Sequence, residues 1–281
     1  MKHVKINDNV VFGNDLPFVL IAGPCQMESR DHALFMAENL AKVAAKLNIP
    51  YVFKASFDKA NRTSLDSRRG LGLEESMPVF AEIKKIFGCP TTTDIHESYQ
   101  AQIVAQYVDI LQIPSLLSRQ TDLLVAAAKT GKPVNIKKIQ AGVPPSDVIY
   151  SVEKVSKSGN DNVMVTERGT CFGYGDLVVD MRGLPQMAAT GYPVIIDAGH
   201  PTQRPYAANG KSGGDRRLIP ALARAAIAVG VAGVFVETHD NPEVALSDGP
   251  NMMKLADMEE QLCLWKRFDE ITKQNLISLG V

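Results

Sequence analysis

Tyr51-Val-Phe-Lys54-Ala-Ser56-Phe-Asp-Lys59-Ala-Asn61-Arg62-Thr63-Ser64 is the stretch on which the reading of this chain turns. Its first three residues are β-branched or aromatic and follow Pro50, the mark of a short buried strand. The strand then empties two lysines, an asparagine and an arginine into one loop. Ammonium and guanidinium groups are costly to bury unpaired, so such a cluster either stays in water or meets anions. Taken alone the loop reads as a solvated charge run. Its setting counts against that, because it interrupts a long repeating pattern whose other loops are also polar.

Working outward, strand-like runs fall near 17–22, 51–55, 91–95, 108–112, 133–137, 162–167, 193–197 and 233–237. Helical patterns fill the gaps near 30–47, 74–87, 97–106, 120–129, 145–158, 180–190, 214–229 and 254–274. The clearest has Leu218, Leu222, Ala225 and Val229 on one helical face. Eight β-then-α units predict a (β/α)8 TIM barrel. A doubly wound open sheet is the alternative, but the Gly-rich dinucleotide turn expected after an early strand of that fold is missing. Residues 4–12 alternate around Asn7-Asp8-Asn9 and predict a small hairpin that plugs or caps one end. The expectation is one barrel domain over 1–281, with the hairpin within 1–13.

Composition narrows the function classes. At 281 residues and 45% hydrophobic the chain can bury a large core, and its net charge of −1 gives no electrostatic footprint for nucleic acid or a membrane surface. No apolar run approaches the roughly 20 residues of a membrane span, so the expected location is the cytoplasm. Cys25, Cys89, Cys171 and Cys263 are widely spaced and read as thiols. Cys89 and Cys263 read as packing residues, and His3 and His32 as surface residues.

In such barrels the active site lies at the C-terminal ends of the strands. Those ends carry Cys25, Lys54, Ser56, Asp94, Gln112, Ser115, Arg119, Lys137, Arg168, His200, Gln203, Glu237 and, beyond the last strand, Asp248. The opposite ends carry little but Cys-Pro, Lys-Pro and Tyr-Pro steps. This asymmetry is the strongest argument from residues alone that the chain is an enzyme. Closure puts strand 8 beside strand 1, so Cys25, His200 and Glu237 stand on contiguous strands, with Asp248 able to fold over them. A thiolate, an imidazole and two carboxylates suit a divalent transition metal. Singly, Cys25 reads as a small core hydrophobe and His200 as a loop histidine; jointly, ligation and packing weigh about evenly. Lys54, Lys59, Gln112, Lys137 and Arg168 form the opposite arc and suit a phosphorylated, carboxylated small molecule. Lys137 paired with Glu167 is the bland alternative for one of them. Ser212-Gly213-Gly214 is expected to open the seventh helix and offer free N–H groups to an anion.

The run Lys54-Ala-Ser-Phe-Asp-Lys-Ala-Asn-Arg-Thr-Ser resembles the 3-deoxy-D-manno-octulosonate 8-phosphate synthases. The likeness spans nearly the whole chain: Ile21-Ala-Gly-Pro-Cys25, Gln112 to Asp122, Glu167 to Tyr174, Asp197 to His200 and Val236-Glu-Thr-His239. The related seven-carbon synthase, which uses erythrose 4-phosphate, has a Lys-Pro-Arg-Thr pattern in place of the Lys-Ala-Asn-Arg loop. The resemblance implies condensation of phosphoenolpyruvate with D-arabinose 5-phosphate, release of phosphate, and a product destined for lipopolysaccharide. It also implies a homotetramer of barrels with an N-terminal hairpin.

By the same resemblance, Lys54, Lys59, Gln112, Ser115, Lys137 and Arg168 are expected to grip phosphoenolpyruvate, with Ser56 beside them. Asn61 would contact the sugar, and Arg62 and Thr63 its phosphate, from a neighbouring subunit as would Arg119. Asp94 would orient sugar hydroxyls. Cys25, where the metal-independent form of the family has Asn, and the Ala-Leu-Ser-Asp248 context resemble the metal-dependent form. One ion of Zn, Fe, Mn or Co per subunit is expected on Cys25, His200, Glu237 and Asp248, with His200 either ligand or proton shuttle. Gly199 and Thr202 depart from the family's usual pattern around His200 and Gln203. A barrel that binds sugar phosphate without catalysis is the third reading, and keeping residues for both substrates and a metal argues against it.

Overall fold

The apolar runs become β1 (Val19–Gly23), β2 (Tyr51–Lys54), β3 (Thr91–Asp94), β4 (Ile110–Ile113), β5 (Val134–Lys137), β6 (Val163–Glu167), β7 (Val194–Asp197) and β8 (Gly233–His239). The computed structural model describes residues 1–62, 65–172, 175–208 and 211–276, and only the backbone at 205–208, 211 and 212. All eight strands are buried along their length, as strands covered on both faces must be. They pair in parallel in the order β7-β6-β5-β4-β3-β2-β1-β8, and β7 pairs with β8 through Ile195↔Gly233 to close the ring. Outside run α1 (Arg30–Leu47), α2 (Leu73–Phe87), α3 (Gln100–Val104), α4 (Thr121–Ala128), α5 (Val148–Ser156), α6 (Gly183–Ala188), α7 (Ile219–Val229) and α8 (Met258–Gln274). This is the (β/α)8 barrel that the alternation predicts.

Because strand side chains alternate, each strand serves two cores. Val19, Ile21, Val52, Ile110, Met164, Ile195 and Phe235 cluster inside the ring. Their neighbours, such as Leu20, Phe53 and Leu111, pack outward against the helices in a second, larger cluster.

The N-terminal hairpin joins Val4–Lys5 to Val11–Phe12 with Val4 opposite Phe12. Val4, Val10 and Phe12 belong to the inner cluster, and Phe12 is fully buried. Just after it, Asn14 accepts from the Val194 N–H at 2.8 Å and donates to the Tyr192 carbonyl at 3.1 Å. These partners lie at the start of β7, so the hairpin plugs the N-terminal mouth and leaves the other mouth free.

Several elements differ from expectation: α7 buries Ile219, Ala223, Ala226 and Ile227 and not the row of Leu218, Leu222, Ala225 and Val229, and α6 is shorter than the helix expected over 180–190. α3 keeps only Gln100–Val104 of the helix expected over 97–106. Residues 211–214 do not open α7: Lys211–Gly214 pairs antiparallel with Gln203–Ala208, and α7 starts at Ile219 after a 3-10 turn over Arg216–Leu218. The anion seat expected at a helix terminus there is therefore absent. Gly214 instead serves close packing, since a Cβ on it would lie 1.6 Å from Asn251 Oδ1.

Candidate active site

Above the apolar layer, the inward row of each strand turns polar: Lys54 on β2, Asp94 on β3, Gln112 on β4, Lys137 on β5, Arg168 just past β6, Asp197 on β7 and Glu237 on β8. Each of these is no more than 7% exposed. On β1 the position falls to Gly23, where a Cβ would lie 2.0 Å from the Lys54 carbonyl oxygen, so only glycine lets the two strand ends approach.

Buried charges must be paired, and here the pairs run across the ring. Lys54 Nζ donates to Glu237 Oε1 at 2.6 Å and to the Cys25 carbonyl at 2.9 Å, while Lys59 Nζ lies 3.7 Å from the same Glu237 oxygen. Burial alone would raise the Glu237 pKa, but the ammonium groups of Lys54 and Lys59 outweigh it and hold the carboxyl well below its usual range. Lys137 Nζ donates to Asp197 Oδ2 at 2.6 Å and stands 3.7 Å from the centroid of the Phe235 ring. The partner of Glu167 is Lys138, at 3.5 Å, and not Lys137. Burial lowers the Lys137 pKa despite Asp197. Arg168 donates to Gln140 Oε1 at 2.7 Å.

Asp94 is held ionised: against the upward push of burial act His96, whose Nε2 lies 3.0 Å from Asp94 Oδ2, and the charges of Lys59 and Lys54. Its other oxygen, Oδ1, has no partner, nor have Gln112 Oε1, Ser56 Oγ and Asn135 Nδ2. Buried polar atoms are nearly always hydrogen-bonded, so orphans gathered at a barrel mouth fit a polar ligand.

Of the four expected metal ligands, Cys25, Glu237 and Asp248 each bring one ligand atom within 4.8 Å of the others. Cys25 Sγ donates to Asp248 Oδ2 at 3.2 Å. Burial, reinforced by Glu237, pushes the Cys25 thiol well up. Asp248 holds a left-handed backbone, with φ 52°, a conformation that costs a non-glycine residue energy and often marks a functional loop. Gln203 Nε2 donates to Asp248 Oδ1 at 3.0 Å and steers the carboxylate. His200 stands at the edge of the group: Nε2 lies 3.9 Å from Glu237 Oε2, and Nδ1 lies 2.7 Å from Asp197 Oδ2 without aligned hydrogen-bond geometry. A thiol, two carboxylates and an adjacent imidazole fit a borderline transition-metal ion.

The remaining expected residues divide. Arg62 reaches into its own chain's site, donating to Ser247 Oγ at 2.7 Å and the Leu246 carbonyl at 3.0 Å, beside Cys25. Asn61 is exposed, and Thr63 lies outside the described residues. The Ser115 hydroxyl donates to the Lys138 carbonyl at 2.7 Å, which commits its proton to the backbone. Arg119 is exposed and lines a cavity of about 270 Å³ with Lys138, Tyr150 and Lys154. Cys89 is buried as expected, whereas Cys263 is exposed. His32 is not a plain surface residue, its side chain being 17% exposed.

Sequence reasoning placed Asp197 and Ser247 at the strand ends without giving either a role, and passed over Gln140. The role of Asp197 is set by its partners, which its place at the end of β7 does not reveal. It accepts from the backbone N–H groups of Gly199 (3.1 Å) and His200 (3.0 Å) as well as from Lys137.

A closed barrel with a buried lysine–carboxylate layer at its C-terminal mouth defines a (β/α)8 protein built to handle anionic ligands. The chain belongs to the DAHP synthetase I family, whose family model matches residues 2–274. It is 57% identical over 265 residues to a 2-dehydro-3-deoxyphosphooctonate aldolase of Bradyrhizobium diazoefficiens, covering 94% of each chain. A protein of the same name from Rickettsia bellii is 53% identical over 273 residues, 97% of this chain and 99% of the relative. A third, from Brucella anthropi, is 56% identical over 270 residues, 96% of this chain and 97% of the relative.

Proposed function

We propose that this chain is a 3-deoxy-D-manno-octulosonate 8-phosphate synthase: it joins phosphoenolpyruvate to D-arabinose 5-phosphate, adds water and releases phosphate, on the way to lipopolysaccharide. The observation that carries this reading is the set of buried Lys54, Lys137 and Arg168 and nearly buried Lys59 around one mouth. Such a set would neutralise the carboxylate and phosphate of phosphoenolpyruvate out of water, where charge pairing is strong. The bond forms between C3 of phosphoenolpyruvate and the sugar's aldehyde carbon. Water adds at C2, and phosphate leaves. The cationic arc holds the two carbons in attack geometry. Asp94, kept ionised with one oxygen unpartnered, would accept from sugar hydroxyls.

Arg62, beside Ser247, would take the sugar's distal phosphate as a bidentate anchor, with Asn61 and Thr63 completing the pocket. Cys25, Glu237 and Asp248, with His200 adjacent, would hold one transition-metal ion, which supplies Lewis-acid polarisation of an oxygen when bound. His200, whose backbone N–H donates to Asp197 Oδ1 at 3.0 Å, would present Nε2 to the reacting centre and carry a proton. A homotetramer in the cytoplasm fits the same reading, and no described helix is long and apolar enough to cross a membrane. The family description also covers the seven-carbon reaction, so the deciding experiment offers each sugar phosphate in turn. Phosphate release from phosphoenolpyruvate with arabinose 5-phosphate is expected. Turnover with erythrose 4-phosphate alone would reverse the assignment.

A further inference from the structure

We propose that Asn251 is a positioning residue of this site, seating the turn that carries His200 and Gln203 against the loop that carries Asp248. The inference rests on the reading of Cys25, Glu237 and Asp248 as a metal group, and adds to it a residue that supplies no ligand atom. Asn251 is 2% exposed and ends the 3-10 turn over Gly249–Asn251 that follows Asp248. Its backbone N–H donates to the Asp248 carbonyl at 2.8 Å, which helps to hold that residue at φ 52°.

The side chain of Asn251 meets the neighbouring loop. Nδ2 donates to the Gly213 carbonyl at 3.4 Å, and because a carbonyl can only accept, this contact fixes which way the amide is turned. Oδ1 then faces Thr202 Oγ1 at 3.2 Å. The Thr202 hydroxyl has one proton, which it gives mainly to the Gly199 carbonyl at 2.8 Å and shares with Asn251 as a weaker second branch. Both amide bonds are long, so packing carries the placement. A Cβ on Gly214 would lie 1.6 Å from Asn251 Oδ1, and one on Gly199 would lie 3.0 Å from the Asn251 carbonyl oxygen. Asn251 thus fills room that two glycines leave open, one just before His200 and one opposite Gln203 in the antiparallel pairing.

These contacts close a circuit. Thr202 ends the short turn His200–Thr202, and Gln203, the next residue, donates to Asp248 Oδ1 at 3.0 Å. From the Asp248 carbonyl the path runs to Asn251, across to Thr202, along the chain to Gln203 and back to the Asp248 carboxylate. Arg216 also anchors the loop, donating to the Gly249 carbonyl at 3.1 Å and to Glu243 Oε1 at 2.6 Å. Groups that orient ligands without binding the ion commonly change metal affinity about 10- to 100-fold when lost. Without the Asn251 amide, His200 and Gln203 keep their own turn but lose their register against Asp248.

Titration with Co²⁺ against a competing chelator tests the proposal on wild type, Asn251→Ala, Thr202→Val and Thr202→Ser. Asn251→Ala is expected to weaken Co²⁺ binding about 10- to 100-fold and to shift the d–d bands. The thiolate charge-transfer band should persist, because Cys25 sits just past β1, off both loops. Thr202→Val is expected to weaken binding too, and the double variant by less than the product of the two single effects. Thr202→Ser keeps the hydroxyl and should stay close to wild type. Hydrogen exchange on metal-free protein gives a readout without the ion: Asn251→Ala is expected to speed exchange at the Thr202 and Asp215 amides, which donate to the Gly199 and Thr202 carbonyls at 3.0 and 3.1 Å. Wild-type affinity and spectrum in Asn251→Ala would overturn the positioning role. Cobalt bands missing from wild type would sink the metal reading instead, and unchanged exchange at those two amides would then overturn the brace as well.

Discussion

Lys54 Nζ sits 2.6 Å from Glu237 Oε1, and both side chains are 2% exposed. The pair joins β2 to β8 across β1, where Gly23 leaves the gap. Removing one partner of a buried pair strands the other charge, at a cost of about 3–5 kcal/mol. Lys54→Met is expected to lower unfolding free energy by about that amount, read from urea denaturation of the metal-free protein. A loss under about 1 kcal/mol would show that Lys59 alone suffices for Glu237.

Lys137 gives a pH dependence. Burial lowers its pKa below the ordinary lysine value of 10.5 even with Asp197 beside it. The protonated form binds an anion, so phosphoenolpyruvate affinity is expected to be full at neutral pH and to fall as pH rises through that lowered value. Lys137→Arg should move the alkaline limb upward, because guanidinium keeps its proton. Calorimetric titration across pH checks both, and a flat profile up to the ordinary lysine range counts against the role.

Arg62 separates the two substrates. Its guanidinium can offer two charge-assisted bonds, each worth about 1.5–3 kcal/mol. Arg62→Ala is expected to raise the KM for arabinose 5-phosphate by roughly 10- to 100-fold while leaving the KM for phosphoenolpyruvate within about 2-fold. Initial-rate kinetics with each substrate varied decides it. An unchanged sugar KM removes Arg62 from the pocket.

Chelation tests the ion proposed on Cys25, Glu237 and Asp248. Turnover is expected to vanish in demetallated protein while far-ultraviolet circular dichroism persists, and to return on adding Zn²⁺, Mn²⁺ or Co²⁺. His200→Ala should lower both metal content and rate. Full activity in thoroughly demetallated protein would make Cys25 a bystander.

At the other mouth, Phe12 is fully buried in the inner cluster. Phe12→Ala is expected to cost about 3–5 kcal/mol of stability with phosphoenolpyruvate affinity unchanged. Denaturant unfolding and calorimetry on the same variant read the two effects separately.

The barrel was legible because short β-rich runs, most of them apolar though Thr91–Asp94 is not, alternate with helical patterns, and periodicity detects that directly. Position alone then found Lys54, Asp94, Lys137 and Glu237, since strand ends in a closed barrel must converge. Pairing choices were not legible. Whether Lys137 or Lys138 meets Glu167 depends on which way each side chain leaves the strand end, and that one-residue alternation is fixed by register. Ser212 to Gly214 misled because a Gly-Gly pair suits a turn, a strand end or a helix start equally; Asn251, 37 residues beyond Gly214 in sequence, decided among them. Asn61 and Arg119 are exposed here, and their assignments rest on the family resemblance.

The plug also bears on the order in which the protein is made. Phe12 leaves the ribosome among the first residues, yet a Cβ on Gly233 would lie 3.1 Å from its ring, so its seat is completed only by the last strand of the barrel. During synthesis the hairpin's apolar residues must wait, unsheltered, for more than 200 residues to follow. An affinity tag fused to Met1 would ride on the piece that docks last, whereas one after Val281 follows an outer helix. The N-terminus is therefore the end at which added sequence is most able to interfere with folding.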